Sequence, residues 1–319
     1  MTYILLLIGF GLLIKGADFF VEGSSKIATM LNISPLLIGL TIVAFGTSSP
    51  EATVSILAAL EGNAGVAIGN VVGSNIFNIT FVVGLTAFLN PLKVESTTIR
   101  KEIPFTLLGS IVLLVLISDI ALQSGQTANL ITRSDGLIFL LFFAIFMYYI
   151  FEVARNNREQ NPGEDSGKDK SKLGRNSLFT IGGLAAIIFG GDLVVDNATE
   201  IAYSFGMSHT LVGLTIVAVG TSLPELITSV TAAIKKQSEI ALGNIVGSNI
   251  FNILFVLGTS SLISPLAVND KIFIDIIIMI VLTIVLLMFS RSNSKIGRTE
   301  GVILAITYII YMTYIIMRN

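Results

Sequence analysis

Residues 38–51 read IGLTIVAFGTSSPE, and residues 212–225 read VGLTIVAVGTSLPE. Residues 69–79, GNVVGSNIFNI, recur in the same way as residues 243–253, GNIVGSNIFNI. Both pairs lie 174 positions apart, and the same offset aligns Gly16 and Asp18 with Gly190 and Asp192 without a gap. Two long matches at one spacing mark an internal duplication, and the fold is read outward from it.

The chain around these segments belongs in a bilayer. Of 319 residues, 53% are hydrophobic and only 13% charged. A bilayer takes about 20 mostly apolar residues per helical span. About ten such stretches can be laid out, at 3–28, 34–60, 65–89, 104–121, 134–153, 177–203, 209–234, 239–264, 272–290 and 299–317. Residues 1–14 lack a small-residue cleavage site after them and are read as the start of the first span rather than a signal peptide. The chain has no cysteine, which excludes thiolate metal sites and thiol redox chemistry. His209, the single histidine, falls in a short loop between spans and is read as a surface residue.

Basic residues set the orientation. With the N-terminus outside, the cytoplasmic loops hold Lys93, Arg100, Lys101, Arg155, Arg158, Lys168, Lys170, Lys172, Arg175, Lys235, Lys236, Arg291, Lys295 and Arg298. The other face has only Arg133, Lys271 and Arg318, so both termini are expected outside. The halves, 1–154 and 177–319, are joined by a polar cytoplasmic linker at 155–176, expected to be flexible. Five spans per half force the second half to enter from the opposite side. The expected fold is therefore all-α and membrane-embedded, with ten helices in two inverted five-helix repeats, an architecture typical of secondary transporters.

Polar residues concentrate in the duplicated segments. Glu51 and Glu225 fall mid-span, where an acidic group costs about 2.5–3.5 kcal/mol on insertion scales. Neither has a basic residue within one helical turn. Pro50 has no N–H and crowds the Gly46 carbonyl, so the second span should break there, exposing carbonyls from about Ala44 to Thr47. Ser48 or Ser49 is expected to cap the helix that restarts. Pro224 repeats this, exposing carbonyls from about Ala218 to Thr221. Thr47, Glu51 and Ser55 share one helix face, as do Asn70, Ser74 and Asn78 on the next span. Their equivalents are Thr221, Glu225, Ser229 and Asn244, Ser248, Asn252. Gly69 and Gly73 are expected to allow close packing. All the donor atoms on offer are oxygen, which suits hard cations such as calcium, magnesium or sodium. Two ionised carboxylates match one calcium or two sodium ions, so either cargo can fill one site.

These motifs resemble the alpha repeats of the calcium/cation antiporter superfamily, in its prokaryotic sodium/calcium exchanger branch. The resemblance covers the whole chain. It implies alternating-access exchange of three sodium ions for one calcium at four clustered sites, with helices 2, 3, 7 and 8 broken around them. Glu51 and Glu225 would be the main calcium ligands, with the carbonyls of Thr47 and Thr221. Ala44, Ser48 and Ser74 would form one sodium site, and Ala218, Ser222 and Ser248 its counterpart. Asn78 and Asn252 would complete the middle. Spans 1 and 6 would slide against the remainder. Several family members, potassium-dependent exchangers among them, carry Asp at the position of Asn252, so exchange independent of potassium is expected. The linker is too short for a calcium-sensing regulatory domain.

Two rival readings share the same residues: a proton/calcium antiporter, cycling protons on Glu51 or Glu225, and a cation channel. An enzyme is not expected, because no Ser–Lys pair or His–acid cluster lies at membrane depth. No cofactor and no nucleic-acid partner is expected beyond the ions and the lipid. The setting implied is a multi-pass protein of a bacterial or archaeal plasma membrane, read as a monomer. Asp18 and Asp192 stay open between pairing with Lys15 and lining the ion path.

Overall fold

A computed structural model describes residues 1–122, 128–160, 170–206, 218–292 and 294–318. The chain is helical nearly throughout. Its main helices are α1 (Thr2–Leu31), α2 (Pro35–Thr47), α3 (Ser49–Leu60), α4 (Ala64–Leu89), α5 (Ile103–Leu116) and α6 (Arg133–Gln160). The rest are α7 (Lys170–Ser204), α8 (Leu223–Ile234), α9 (Ser238–Ile263), α10 (Asp270–Arg291) and α11 (Arg298–Arg318). Seven of these are long and apolar enough to cross a membrane, and α2 with α3 forms an eighth, bent span. The expected loop at His209 and the first part of the seventh span lie outside the described residues.

Local chemistry accounts for several helix starts. Ser34 Oγ accepts from the Leu37 N–H, with Pro35 at the first helical position of α2. Asn63 and Asn269 cap α4 and α10 in the same way. α6 runs to Gln160 and α7 begins at Lys170, so helix extends into both ends of the segment 155–176. Residues 161–169 of that segment lie outside the described residues. The fourth span starts earlier than its hydropathy suggests, because a π-helical turn at Thr98–Glu102 leads into α5.

α1 and α7 pack antiparallel along a seam of glycines. Gly9 faces Gly190, and Gly16 faces Gly183. A Cβ on Gly16 would stand 2.8 Å from the Gly183 carbonyl oxygen, so the backbones touch where no side chain fits. Gly9 and Gly183, and Gly16 and Gly190, are equivalents at the 174-residue offset. Elsewhere Gly243 and Gly247 press on α2, where a Cβ would come within 2.7 Å of Leu36 O and 2.6 Å of Leu40 O. The tight packing expected of Gly69 and Gly73 finds no partner within 4 Å among the described residues.

Two short antiparallel clasps join the halves. β1 (Leu92–Lys93) pairs with β4 (Lys295–Ile296), in register Leu92↔Ile296. β2 (Leu130–Ile131) pairs with β3 (Leu266–Ala267), in register Leu130↔Ala267. Leu92, Ile131, Leu266 and Ile296 turn inward and are buried, so each clasp also closes over the core.

Candidate ion-binding centre

The chain bends by 49° between α2 and α3, at Ser48. Pro50 cannot donate to the Gly46 carbonyl, which accounts for the break. The second half repeats it: one turn at Ala218–Gly220 is interrupted at Thr221 and Ser222 before α8 starts. The expected breaks in spans 3 and 8 do not occur. α4 and α9 run through Asn78 and Asn252 as helix, widened by π-helical turns at Asn78–Val82 and Phe251–Leu257. No proline or glycine stands at either turn to release the backbone, so the helix is locally widened and not broken.

The serines at the breaks do not cap. Ser48 and Ser222 stand at the N-cap positions of α3 and α8, yet neither side chain makes a capping bond. Ser48 Oγ donates to Glu225 Oε1 at 2.7 Å, and Ser222 Oγ donates to Glu51 Oε1 at 2.8 Å. Ser49 Oγ returns to the Phe45 carbonyl at 3.0 Å.

Glu51 and Glu225 are fully buried, and neither forms an ion pair with a lysine or arginine among the described residues. Around them the two halves supply matched bonds. Thr47 Oγ1 donates to Asn244 Oδ1 at 3.0 Å, and Thr221 Oγ1 to Asn70 Oδ1 at 3.5 Å. Asn244 Nδ2 donates to Ser229 Oγ and to the Glu225 carbonyl, while Asn70 Nδ2 donates to Ser55 Oγ and the Glu51 carbonyl. Ser248 Oγ reaches Glu225 Oε1 at 3.5 Å and the Ala44 carbonyl at 3.4 Å. Ser74 Oγ accepts from Ser222 Oγ at 3.0 Å. Thr47 and Asn244 are buried, whereas their equivalents Thr221 and Asn70 are half-buried. Phe45 and Phe251, with ring centroids 4.7 Å apart, stand beside Ala44 and Asn252 in the chain and form an apolar wall.

Two residues that a helix-face argument passes over join this set. Asn75 Nδ2 donates to the Asn249 main-chain oxygen at 3.2 Å. Asn252 Nδ2 donates to Asn75 Oδ1 at 3.2 Å, and Asn78 Nδ2 to Asn249 Oδ1 at 3.3 Å. The signal available for them was the duplication itself, since Asn75 and Asn249 also lie 174 residues apart.

Among the carboxylates and amides of this set four oxygens are left over: Glu51 Oε2, Glu225 Oε2, Asn78 Oδ1 and Asn252 Oδ1 are buried and accept no hydrogen bond. All four come from the duplicated segments. Buried polar atoms are nearly always partnered, and leaving one unmet costs about 1–3 kcal/mol, more for a charged group. Oxygen acceptors short of donors and supplied in pairs suit a hard cation.

Asp18 is paired away from these groups. Lys235 Nζ lies 2.9 Å from Asp18 Oδ1 and also donates to the Asp18 carbonyl, while Lys15 stands 4.0 Å from Asp18 Oδ2. Asp192 is exposed.

An all-helical membrane protein with such a centre is of the antiporter class that carries cations. The chain matches the sodium/calcium exchanger protein family over residues 1–152 and 176–317. The sodium/calcium exchanger MaX1 of Methanosarcina acetivorans is 35% identical over 340 aligned positions, covering 98% of this chain and 97% of that one. The inner membrane protein YrbG of Escherichia coli is 37% identical, covering 97% and 94%. A solved structure of the sodium-calcium exchanger NCX_Mj superposes with a TM-score of 0.84 at 33% identity, covering 98% of both chains. The chain belongs to the sodium/calcium exchanger family.

Proposed function

We propose that this protein exchanges three sodium ions for one calcium by alternating access, without potassium, at the centre between its duplicated segments. The observation that carries the reading is the set of four buried, unpartnered oxygens on Glu51, Glu225, Asn78 and Asn252. Glu51 and Glu225 are the main calcium ligands, helped by the carbonyls of Thr47 and Thr221. Ala44, Ser48 and Ser74 serve sodium on one side, and Ala218, Ser222 and Ser248 on the other, with Asn78 and Asn252 between them. Two carboxylates cannot hold a full load of both ions at once, so calcium and sodium compete. The exchanger names of MaX1 and NCX_Mj support the choice of ions.

The same reading completes the fold. The seven long helices, the bent α2–α3 pair, α5 with its π-helical lead and the span ending in α8 make ten. They form two inverted repeats of five, 1–154 and 177–319, joined through 155–176 on the cytoplasmic side, with both termini outside a plasma membrane. The half-buried Thr221 and Asn70, against the sealed Thr47 and Asn244, fit a centre open toward one side. α1 and α7, paired along their own seam, are the element that moves.

Calcium uptake into sodium-loaded proteoliposomes, diluted into sodium-free buffer, tests this. Uptake that requires internal sodium is the expected result. Uptake that follows an acid load and ignores sodium would make the protein a proton/calcium antiporter and withdraw the sodium sites. Non-saturating current without exchange would make it a channel.

A further inference from the structure

We propose that Asn75 and Asn249 are positioning residues: they fix which atom of Asn252 and Asn78 faces the ion centre, and they match position 252 to an amide. The proposal rests on the reading of the centre given above.

A main-chain carbonyl sets the orientation of the first amide. The Asn249 carbonyl can only accept, so the Asn75 amide must turn its Nδ2 toward it, at 3.2 Å. That leaves Asn75 Oδ1 on the opposite side of the amide, where it accepts from Asn252 Nδ2 at 3.2 Å. With its NH2 group held there, Asn252 presents Oδ1 elsewhere, and that oxygen is one of the four left unpartnered. In the other half Asn249 Oδ1 accepts from Asn78 Nδ2 at 3.3 Å, and Asn78 Oδ1 is left unpartnered. All four amides are buried.

Such a lock matters because an asparagine amide is two-faced. Half a turn about its last bond replaces an acceptor oxygen by a donor NH2, which repels a cation. Asn75 follows Ser74 by one residue, about 100° around the helix, so it stands behind the face of Asn70, Ser74 and Asn78 and acts through Asn252. Each lock also comes from the opposite half: α4 orients an amide of α9, and α9 one of α4. A carboxylate at 252 would have no hydrogen to offer Asn75 Oδ1. Asn75 would then have to turn over and give up its bond to the Asn249 carbonyl.

The test uses the purified full chain and radioactive calcium binding, with sodium as competitor, on Asn75→Ala, Asn249→Ala, Asn252→Ala and the double variant Asn75→Ala/Asn252→Ala. Each of the first two should weaken calcium binding about tenfold, the size expected when a buried polar contact is lost. The maximal exchange rate at saturating ion should change far less than the half-saturating concentration. The double variant should bind no worse than Asn252→Ala alone, because Asn75 works only through Asn252. Additive losses, or unchanged affinity in Asn75→Ala and Asn249→Ala, would overturn the proposal. Should an alanine variant fail to fold, Asn75→Ser and Asn249→Ser carry the same comparison. Wild-type protein that binds no calcium would instead overturn the reading of the centre itself.

Discussion

Ser48 and Glu225 come from opposite halves of the chain, and the serine hydroxyl donates to the carboxylate at 2.7 Å. The mirror pair, Ser222 and Glu51, does the same at 2.8 Å. A helix break alone would leave these hydroxyls at the caps of α3 and α8. Their use across the interface means that neither half completes its own acidic group. Ser48→Ala and Ser222→Ala should each weaken ion binding by about ten- to a hundredfold, since a hydrogen bond to a charged group contributes roughly 1.5–3 kcal/mol. Equilibrium calcium binding checks this, and a large loss in one variant with none in the other would argue against matched roles.

Glu51→Gln or Glu225→Gln keeps the shape of the side chain and removes its charge. Either should abolish sodium-dependent calcium transport while thermal unfolding stays near that of the wild type. Normal exchange in either variant would remove that residue from the centre.

Asn252→Asp adds a third carboxylate to the buried set and takes away the donor that Asn75 Oδ1 accepts. The expected outcome is altered sodium affinity or a new response to potassium. Exchange rates measured across sodium and potassium series decide it, and indifference to both ions would place residue 252 at the periphery.

Asp18 is bonded to Lys235, with side chains 43% and 27% exposed. Exposed ion pairs are worth about 0–1 kcal/mol. Asp18→Asn should therefore leave calcium affinity unchanged and lower stability only slightly. A marked loss of calcium affinity would return Asp18 to the ion path.

Two glycines of α1 make a paired control. A Cβ on Gly16 would stand 2.8 Å from Gly183 O and 2.9 Å from Ile187 N, whereas one on Gly11 meets nothing within 4 Å. Gly16→Ala should destabilise the protein by about 1–3 kcal/mol, because backbone atoms cannot move aside as a side chain can. Gly11→Ala should be neutral or stabilising by up to about 1 kcal/mol, as alanine is the better helix former. Thermal unfolding of the two variants side by side measures the difference.

Much of this architecture was legible because it is written twice. The 174-residue offset pointed to Glu51 with Glu225, Ser48 with Ser222 and Asn78 with Asn252 without any structure, and Pro50 announced the bend through its missing N–H. The π-helical turns at Asn78 and Asn252 left no such mark, because the apolar residues around them continue unbroken. Asn75 and Asn249 were passed over because a helix-face argument counts in fours from Asn70 and Asn244, and they sit one step off that row. The capping expected of Ser48 was misjudged for a different reason. A serine before a proline reads as a cap, and only the opposite half shows what its hydroxyl reaches.

The two strand clasps bear on how the chain is made. Leu92 must wait for Ile296, and Leu130 for Ala267, so each clasp closes only after most of the chain has left the ribosome. Pairings so distant in sequence form late and slowly. Through most of synthesis the first half therefore sits in the membrane with its loops unclasped and Glu51 without its serine. A chain cut short before Lys295 lacks β4, and β1 is left as an unpaired edge for the cell's proteases to find.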